Sequence, residues 1–498
     1  MPAFSDARRV PHGATIETDL AIVGGGPAGI SLALALAHTK MKVLLLESGG
    51  MDFDAATQAL YQGTQSGTQY LTLDGSRLRY FGGSTNHWGG WTRPLDESDF
   101  LKRDWLPYSG WPFPRKELEP YFPRAQALVE AGAWVYDGLA RDIDPPLKLG
   151  KGGVYTSFFQ FSQWRGNPDH LPTHFGERYA DDLGQIANLN VMLEANVTGV
   201  RLTRTANAVD GLDVATLSGN RFAVKPRFAV LAMGAMEVAR LMLASDDVMK
   251  TGVGNQNGLV GRFFADHAIP RDVGTLVTFD GTIPDYYVNN GDAAGAHFRA
   301  ALSPSEAFKA ARKLTGSLTT IENNAALDEG GRAIVTATAE ALGANADNAK
   351  AFSLGVGFEL APDPARRLTL SGARDALGMR RLKLHMTLGD EDIARYRETL
   401  KELGRQLLAA RTGMLRLNYA TREQWLSVID WADHHMGTTR MHDDPKQGVV
   451  DANSKVHGID NLFVAGSSVF PTYGASNPTM NLLALVLRLA ERLKQVVR

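Results

Sequence analysis

The chain contains no cysteine among its 498 residues. That excludes disulfides, thiolate catalysis and cysteine-based metal sites, and it leaves the compartment open. Neither charge is in excess, since the formal net charge is −2. A balance so near neutral gives no electrostatic footprint for nucleic acid or for an anionic membrane surface. An uninterrupted apolar span is missing too. Residues 20–37 are mostly apolar, but Gly24, Gly25, Gly26, Pro27 and Gly29 break them, so no membrane span is expected. Arg8-Arg9 resembles an export pair, yet residues 11–19 after it are mostly polar, and a soluble, cytoplasmic chain is expected. Internal repeats, low-complexity segments and a second Gly-x-Gly-x-x-Gly are also lacking.

The remaining composition, 44% apolar and 21% charged, is ordinary for a globular protein. The length implies more than one folding unit. The 51 glycines imply many tight turns and close backbone approaches.

Residues 19–23 read as a buried strand, followed by a glycine turn, a helix over 27–39 and a strand over 42–47. Residues 53–80 show no period and read as a long loop or lid. A helix is expected over 117–130, and strands over 190–202, 222–224 and 228–233, the last leading through Gly234 into a helix ending near 243. Strands over 273–279, 297–302, 352–360 and 382–388 suggest a second sheet, with helices over 305–312, 340–351 and 390–412. A strand over 462–465 and a helix from Pro478 to about 494 close the chain. This layout suggests a nucleotide domain built from 1–270 and 425–498, with a substrate domain, 271–424, inserted between them.

Gly24-x-Gly26-x-x-Gly29 follows a strand and opens a helix. The first glycine permits the tight turn, the second lets the backbone approach a pyrophosphate, and the third lets helix and strand pack closely. The helix N-terminus offers unpaired N–H groups and partial positive charge to phosphates. Glu47, at the end of the second strand, is placed to accept from a ribose hydroxyl, which favours FAD or NAD over NADP. The motif alone does not choose between FAD and NAD.

Three further stretches carry a family resemblance. Gly82-Gly83-Ser84-Thr85-Asn86-His87-Trp88, His434-His435-Met436-Gly437-Thr438 and the segment from Gly448-Val449-Val450-Asp451 to Asn477-Pro478 resemble the glucose–methanol–choline (GMC) family of FAD oxidoreductases. The His-x-Met-Gly and Ala-Ser-Asn-Pro-Thr wording is most similar to the branch of pyranose oxidases and bacterial glycoside 3-oxidases or dehydrogenases. The resemblance implies an α/β fold: a Rossmann-like, p-hydroxybenzoate-hydroxylase-like FAD domain with an inserted α+β substrate-binding domain. It also implies FAD as cofactor and an alcohol as substrate. By the same resemblance, Gly83, Ser84, Asn86, His87, Ser467, Pro478 and Thr479 join Gly24, Gly26, Gly29 and Glu47 around the flavin. Val197 would meet the adenine through its backbone, and Gly234 would lie near the adenosine. Asp266-His267 matches a recurrent Asp-His pair. His87 matches a histidine that bonds the flavin covalently in some relatives; non-covalent FAD is the favoured outcome here.

Oxidising a carbinol removes a hydroxyl proton and a C–H hydride. An imidazole, with an ordinary pKa near ~6.5, suits the proton at neutral pH. The resemblance places that base at His434 and a hydroxyl-orienting group at Asn477. Asn477 has a competing reading, because it precedes Pro478 at a helix start and so looks like an N-cap with Pro at N1. Asp451 reads equally as a pocket or a turn residue, and Trp88, Trp91, Trp105 and Trp111 as core aromatics before sugar platforms.

The expected activity is FAD-dependent oxidation of a secondary hydroxyl of a sugar or glycoside, at C2 or C3, to a ketone. Oxygen, a quinone or a redox protein would accept the electrons. The rivals are oxidation of a primary alcohol on an aminocyclitol or simple alcohol, an NADPH-dependent flavin monooxygenase, and a non-catalytic flavoprotein subunit.

Overall fold

A computed structural model of the protein describes residues 4–136, 143–164, 169 and 171–497. Its first strand of interest, Thr15–Val23, is fully buried over its last four residues, Leu20 to Val23. Such a strand, apolar on both faces, belongs inside a parallel sheet covered by helices. Thr15–Val23 pairs in parallel with Val43–Leu46 on one side and with Arg221–Leu231 on the other. Outward from Val43–Leu46 follow Leu189–Leu193 and Phe4–Asp6, both parallel. Arg221–Leu231 is one continuous strand, where the pattern suggested two. Its first half pairs antiparallel with Val209–Ala215, and its last residues pair in parallel with Leu462–Val464. Asn196–Leu202 completes this eight-stranded sheet.

The helix Pro27–Ala35 and the C-terminal helix Pro478–Val496 pack against each other beside this sheet, and Phe175–Gly184 packs on Pro27–Ala35. Pro27–Ala35 ends short of the expected boundary at 39, because the chain turns through His38 at φ 62°.

A second eight-stranded sheet is antiparallel. It runs Gly413–Leu417, Gly274–Thr278, Lys350–Phe358, Ser317–Ala325, Ala296–Pro304, Val154–Phe161 and Trp91–Thr92, with Gly291–Ala293 on the edge of Ala296–Pro304. Two of its strands therefore come from ahead of residue 271, and the two sheets interleave along the chain. The expected helix over 340–351 lies instead at Glu329–Ala341, N-capped by the Asp328 carboxylate on Gly331 N–H. Gly343, at φ 65°, ends it, and the next apolar run pairs as the strand Lys350–Phe358. Pairing with Gly274–Thr278 on one side and Ser317–Ala325 on the other makes it an interior strand, buried on both faces from residue 354 on.

Residues 53–80 are not an unsupported loop. They carry a short helix, Ala55–Gln58, capped by Asp54, and the strand Thr64–Gly67. Thr64–Gly67 pairs with Arg380–Met386, which pairs in turn with Arg367–Arg374. One hydrophobic core runs through both large sheets. No helix among the described residues is long and apolar enough to cross a membrane.

Candidate active site

Gly24, Gly26, Glu47, Gly83, Ser84, His87, Val197, Gly234, His434, Ser467, Asn477, Pro478 and Thr479 all line one crevice. It opens beyond the carboxyl ends of Thr15–Val23, Val43–Leu46 and Arg221–Leu231, where ligands sit in open α/β sheets. Gly29 and Asn86 stand behind its wall. Gly29 has the packing role expected of a third glycine, since a Cβ there would lie 1.9 Å from Gly24 O. Asn86 donates from Nδ2 to Phe81 O at 2.9 Å and so braces the turn before it rather than facing the crevice.

Gly24 sits at φ 110°, with Ala232 O only 2.7 Å from where a Cβ would be. Position 24 therefore excludes every side chain on two grounds. Gly83 approaches so closely that its Cβ would lie 3.2 Å from Gly26 Cα. The open backbone of Gly26 and Pro27, at the first turn of its helix, is thus exposed to the crevice. Glu47 accepts from Gly25 N–H at 2.7 Å and Gly49 N–H at 2.8 Å. It locks the glycine turn while its carboxylate still lines the crevice.

A buried ionic group forms the neighbouring wall, and sequence patterning gave no sign of it. Arg77 and Arg79 reach Glu237 at 3.1 and 3.2 Å, and Arg79 Nη2 donates to Asn196 Oδ1 at 3.0 Å. Burial alone would raise the Glu237 pKa, but Arg240, Arg77 and Arg79 hold it down to about 2. Arg79 Nε is buried and without a hydrogen-bond partner among the described residues. An unpaired buried guanidinium N–H is costly unless a ligand acceptor meets it.

At another part of the crevice His434 and Asn477 come together, with Asn477 Nδ2 3.2 Å from His434 Nε2. The Asn477 side chain makes no capping bond to the helix Pro478–Val496. Instead its backbone oxygen accepts from Asn481 Nδ2 at 3.2 Å, which leaves the side-chain amide directed at the histidine. Behind His434, its Nδ1 lies 2.9 Å from His267 Nδ1. His434 N–H donates to Asp266 Oδ1 at 2.8 Å, and Tyr70 O–H donates to Asp266 Oδ2. Burial pushes the His434 pKa well below 6.5, with His267 and His435 adding to it. Burial likewise lowers His267 to about 4 and His435 to about 3. Asp266 and Asp433 are raised to about 7, again chiefly by burial. The imidazoles are therefore neutral at physiological pH.

Ser467 Oγ donates to His435 O at 2.7 Å, tying the histidine segment to the loop after Leu462–Val464. His87 stands exposed on the crevice wall, and partial desolvation there lowers its pKa. Asp451 takes its turn role: Oδ1 accepts from Asn453 and Lys455 N–H at 2.8 and 2.9 Å. Trp88 and Trp91 line the crevice, while Trp105 and Trp111 donate to Leu314 O and Thr472 O away from it.

A dinucleotide cofactor fits this donor set. The glycine turn leaves room for a pyrophosphate at a helix N-terminus, Glu47 faces the same space, and Arg79 carries an unmet donor.

Comparisons with known proteins agree. Residues 362–485 match the GMC oxidoreductase model. The chain is 24% identical to a 2-methyl-1,2-propanediol dehydrogenase of Mycolicibacterium austroafricanum, over 95% of this chain and 94% of that protein. It is 25% identical to a 6'''-hydroxyparomomycin C oxidase of Streptomyces lividus, over 98% and 93%. A shorter stretch, 23% of this chain and 21% of the relative, is 33% identical to a C-glycoside 3-oxidase of Microbacterium trichothecenolyticum. The fold is that of pyridoxine 4-oxidase from Mesorbium loti, with a TM-score of 0.55 at 20% identity over 95% of this chain and 99% of that one. Residues 362–485 thus carry the GMC oxidoreductase match, and the glycine cradle, the acid beside it and these likenesses agree on an FAD-dependent oxidoreductase that acts on alcohols or sugars.

Proposed function

We propose that the protein oxidises a secondary hydroxyl of a sugar or glycoside to a ketone, with His434 as the base and Asn477 as the group that orients the hydroxyl. The observation that carries this reading is the pairing of His434 Nε2 with Asn477 Nδ2 on the crevice wall. The substrate hydroxyl would replace their direct contact, accepting from Asn477 Nδ2–H and donating to His434 Nε2. As the C–H bond breaks, the hydroxyl proton passes to His434 Nε2, a transfer that typically contributes about 10²–10⁴ in rate. When bound, FAD supplies the hydride acceptor, its ring nitrogen N5. Gly24, Gly26 and Gly83 would admit its phosphates, Glu47 its ribose, and Val197 and Gly234 its adenosine. Ser84, His87, Ser467 and Thr479 would surround its ring. The N-terminus of Pro478–Val496 would place partial positive charge beside negative charge that develops on reduction.

The likeness to a C-glycoside 3-oxidase and the presence of Trp88 and Trp91 on the crevice wall support a sugar. The full-length likeness to a paromomycin derivative oxidase and a propanediol dehydrogenase favours a second reading, oxidation of a primary alcohol. Anaerobic mixing with a sugar, glycoside and alcohol panel tests both readings: the flavin bleaches with a substrate, and product NMR separates ketone from aldehyde. A His434→Ala enzyme that is reduced as fast as the wild type would remove His434 as the base.

A further inference from the structure

We propose that His267 is a positioning residue that fixes the tautomer of His434, so that the lone pair of His434 faces the substrate. The proposal rests on the reading of His434 as the base. Gly474 O lies 2.8 Å from His267 Nε2, and a carbonyl can only accept. His267 Nε2 therefore carries the hydrogen. A neutral imidazole has one N–H, so His267 Nδ1 presents a lone pair. It faces His434 Nδ1 at 2.9 Å, and one of the two nitrogens must donate. The donor is then His434 Nδ1–H. That leaves the lone pair of His434 on Nε2, where Asn477 Nδ2–H meets it at 3.2 Å. One carbonyl thus sets the hydrogen positions of two rings in series.

The geometry at the far end is rigid. Gly474 is at φ 53°, and a Cβ there would lie 2.2 Å from Asp99 Oδ2. The adjacent residues anchor it: Tyr473 N–H donates to Glu359 Oε1 at 3.0 Å, and Thr472 Oγ1 donates to Asp99 O at 2.6 Å. Tyr473 O–H donates to Asp266 O at 3.2 Å. The neighbouring residues 266 and 267 thus divide the work, Asp266 holding the His434 backbone and His267 its ring. When His434 takes the hydroxyl proton on Nε2, its Nδ1–H keeps donating to His267. The proton stays on His434, and His267 remains a neutral acceptor. The wrong tautomer would put N–H against the substrate hydroxyl and leave no base, a loss of order 10⁴ where it has been measured in a hydrolytic triad.

The test uses the FAD-loaded enzyme with ¹⁵N-histidine labelling. The ring nitrogen shifts of His434, assigned by loss in His434→Ala, are expected to show Nδ1 protonated and Nε2 bare. Protonation on Nε2 in the wild type overturns the proposal, whatever the activity. The second arm is anaerobic flavin reduction with D-glucose, methyl β-D-glucopyranoside and 2-methyl-1,2-propanediol. His267→Phe keeps a ring but removes the acceptor; saturated reduction is expected to slow by about 10²–10⁴ with the proton moved to Nε2. His267→Asn can place Oδ1 where Nδ1 was, and is expected to recover to within about tenfold of wild type with Nδ1 again protonated. A His267→Phe enzyme that reduces at the wild-type rate, or an Asn variant as slow as the Phe variant, overturns the proposal. If His434→Ala is reduced normally, the base assignment has failed instead, and the wild-type tautomer still decides the hydrogen-bond series. The same tautomer measurement decides if His267→Phe does not hold FAD.

Discussion

Asn477 stands at the N-cap of the helix Pro478–Val496, yet its amide turns away from that helix to His434 Nε2, 3.2 Å away. The two roles predict different variants. A capping side chain lost to alanine costs about 1 kcal/mol. Asn477→Ala is therefore expected to leave the unfolding midpoint of the flavin-free protein nearly unchanged. The loss of a preorganised donor at the reacting oxygen is expected to slow anaerobic flavin reduction by about 10². Chemical denaturation and stopped-flow absorbance separate the two effects.

The pH dependence of reduction follows from burial of His434. Its pKa lies below 6.5, and the active form is neutral. Falling pH therefore protonates the base only in the acid range, and rising pH does not impair it. Titration of His434 itself is expected to leave the rate constant for reduction level from neutral pH down through 6.5 and to lower it only below that, any inflection near 7 belonging to Asp266 or Asp433. An inflection at or above 6.5 assigned to His434 would contradict the neutral, buried ring.

Two glycines test the cradle. Gly24→Ala places a Cβ 2.7 Å from Ala232 O at a left-handed φ of 110°, and Gly29→Ala places one 1.9 Å from Gly24 O. Both contacts are with backbone, which cannot step aside cheaply. Each variant is expected to purify without flavin colour while Gly372→Ala, with nothing within 4 Å and no left-handed φ, keeps its FAD. Full FAD occupancy in Gly24→Ala would rule out this turn as the pyrophosphate site.

Arg103 and Glu359 form a buried pair, at 3.3 Å, below the loop that carries Gly474. Burial opposes ionisation of Glu359, but Arg103 and the Gly316 and Tyr473 amides hold its pKa down. Glu359→Gln leaves a guanidinium buried without its counter-charge, at a cost of about 3–5 kcal/mol. Urea unfolding of the holoenzyme at fixed FAD concentration measures it. Replacing both residues by apolar ones of similar size is expected to recover much of that loss.

Non-covalent FAD is expected at His87. Acid precipitation should leave the yellow colour in the supernatant; colour retained in the pellet, and lost in His87→Ala, would establish a bond through that ring.

Near-neighbour chemistry was readable directly. The strand, glycine turn, helix and Glu47 follow one another within the first residues, and each expresses a local backbone preference or a fixed period. The helix expected over 340–351 is misplaced for a local reason too: Gly343, at φ 65°, stops the helix Glu329–Ala341, and only residues 350 and 351 of that stretch enter a strand, Lys350–Phe358. Arg77 and Arg79 lie in the stretch 53–80, which by its pattern reads as a loop or lid. Their burial depends on Glu237, which lies 158 positions from Arg79.

The sequence by itself pointed to a nucleotide cradle, because only glycine tolerates the φ at Gly24 and the close approaches at Gly24 and Gly29. It also named His434 and Asn477, through the wording of the two segments that hold them. The tertiary structure decided what these residues touch. His267 and His434 are 167 positions apart, and His267 and Gly474 are 207. No local pattern encodes a hydrogen bond across such separations, because it exists only once packing has fixed both ends. The hydrogen-bonding state of His434, like the freedom of the Asn477 amide, is a product of that packing.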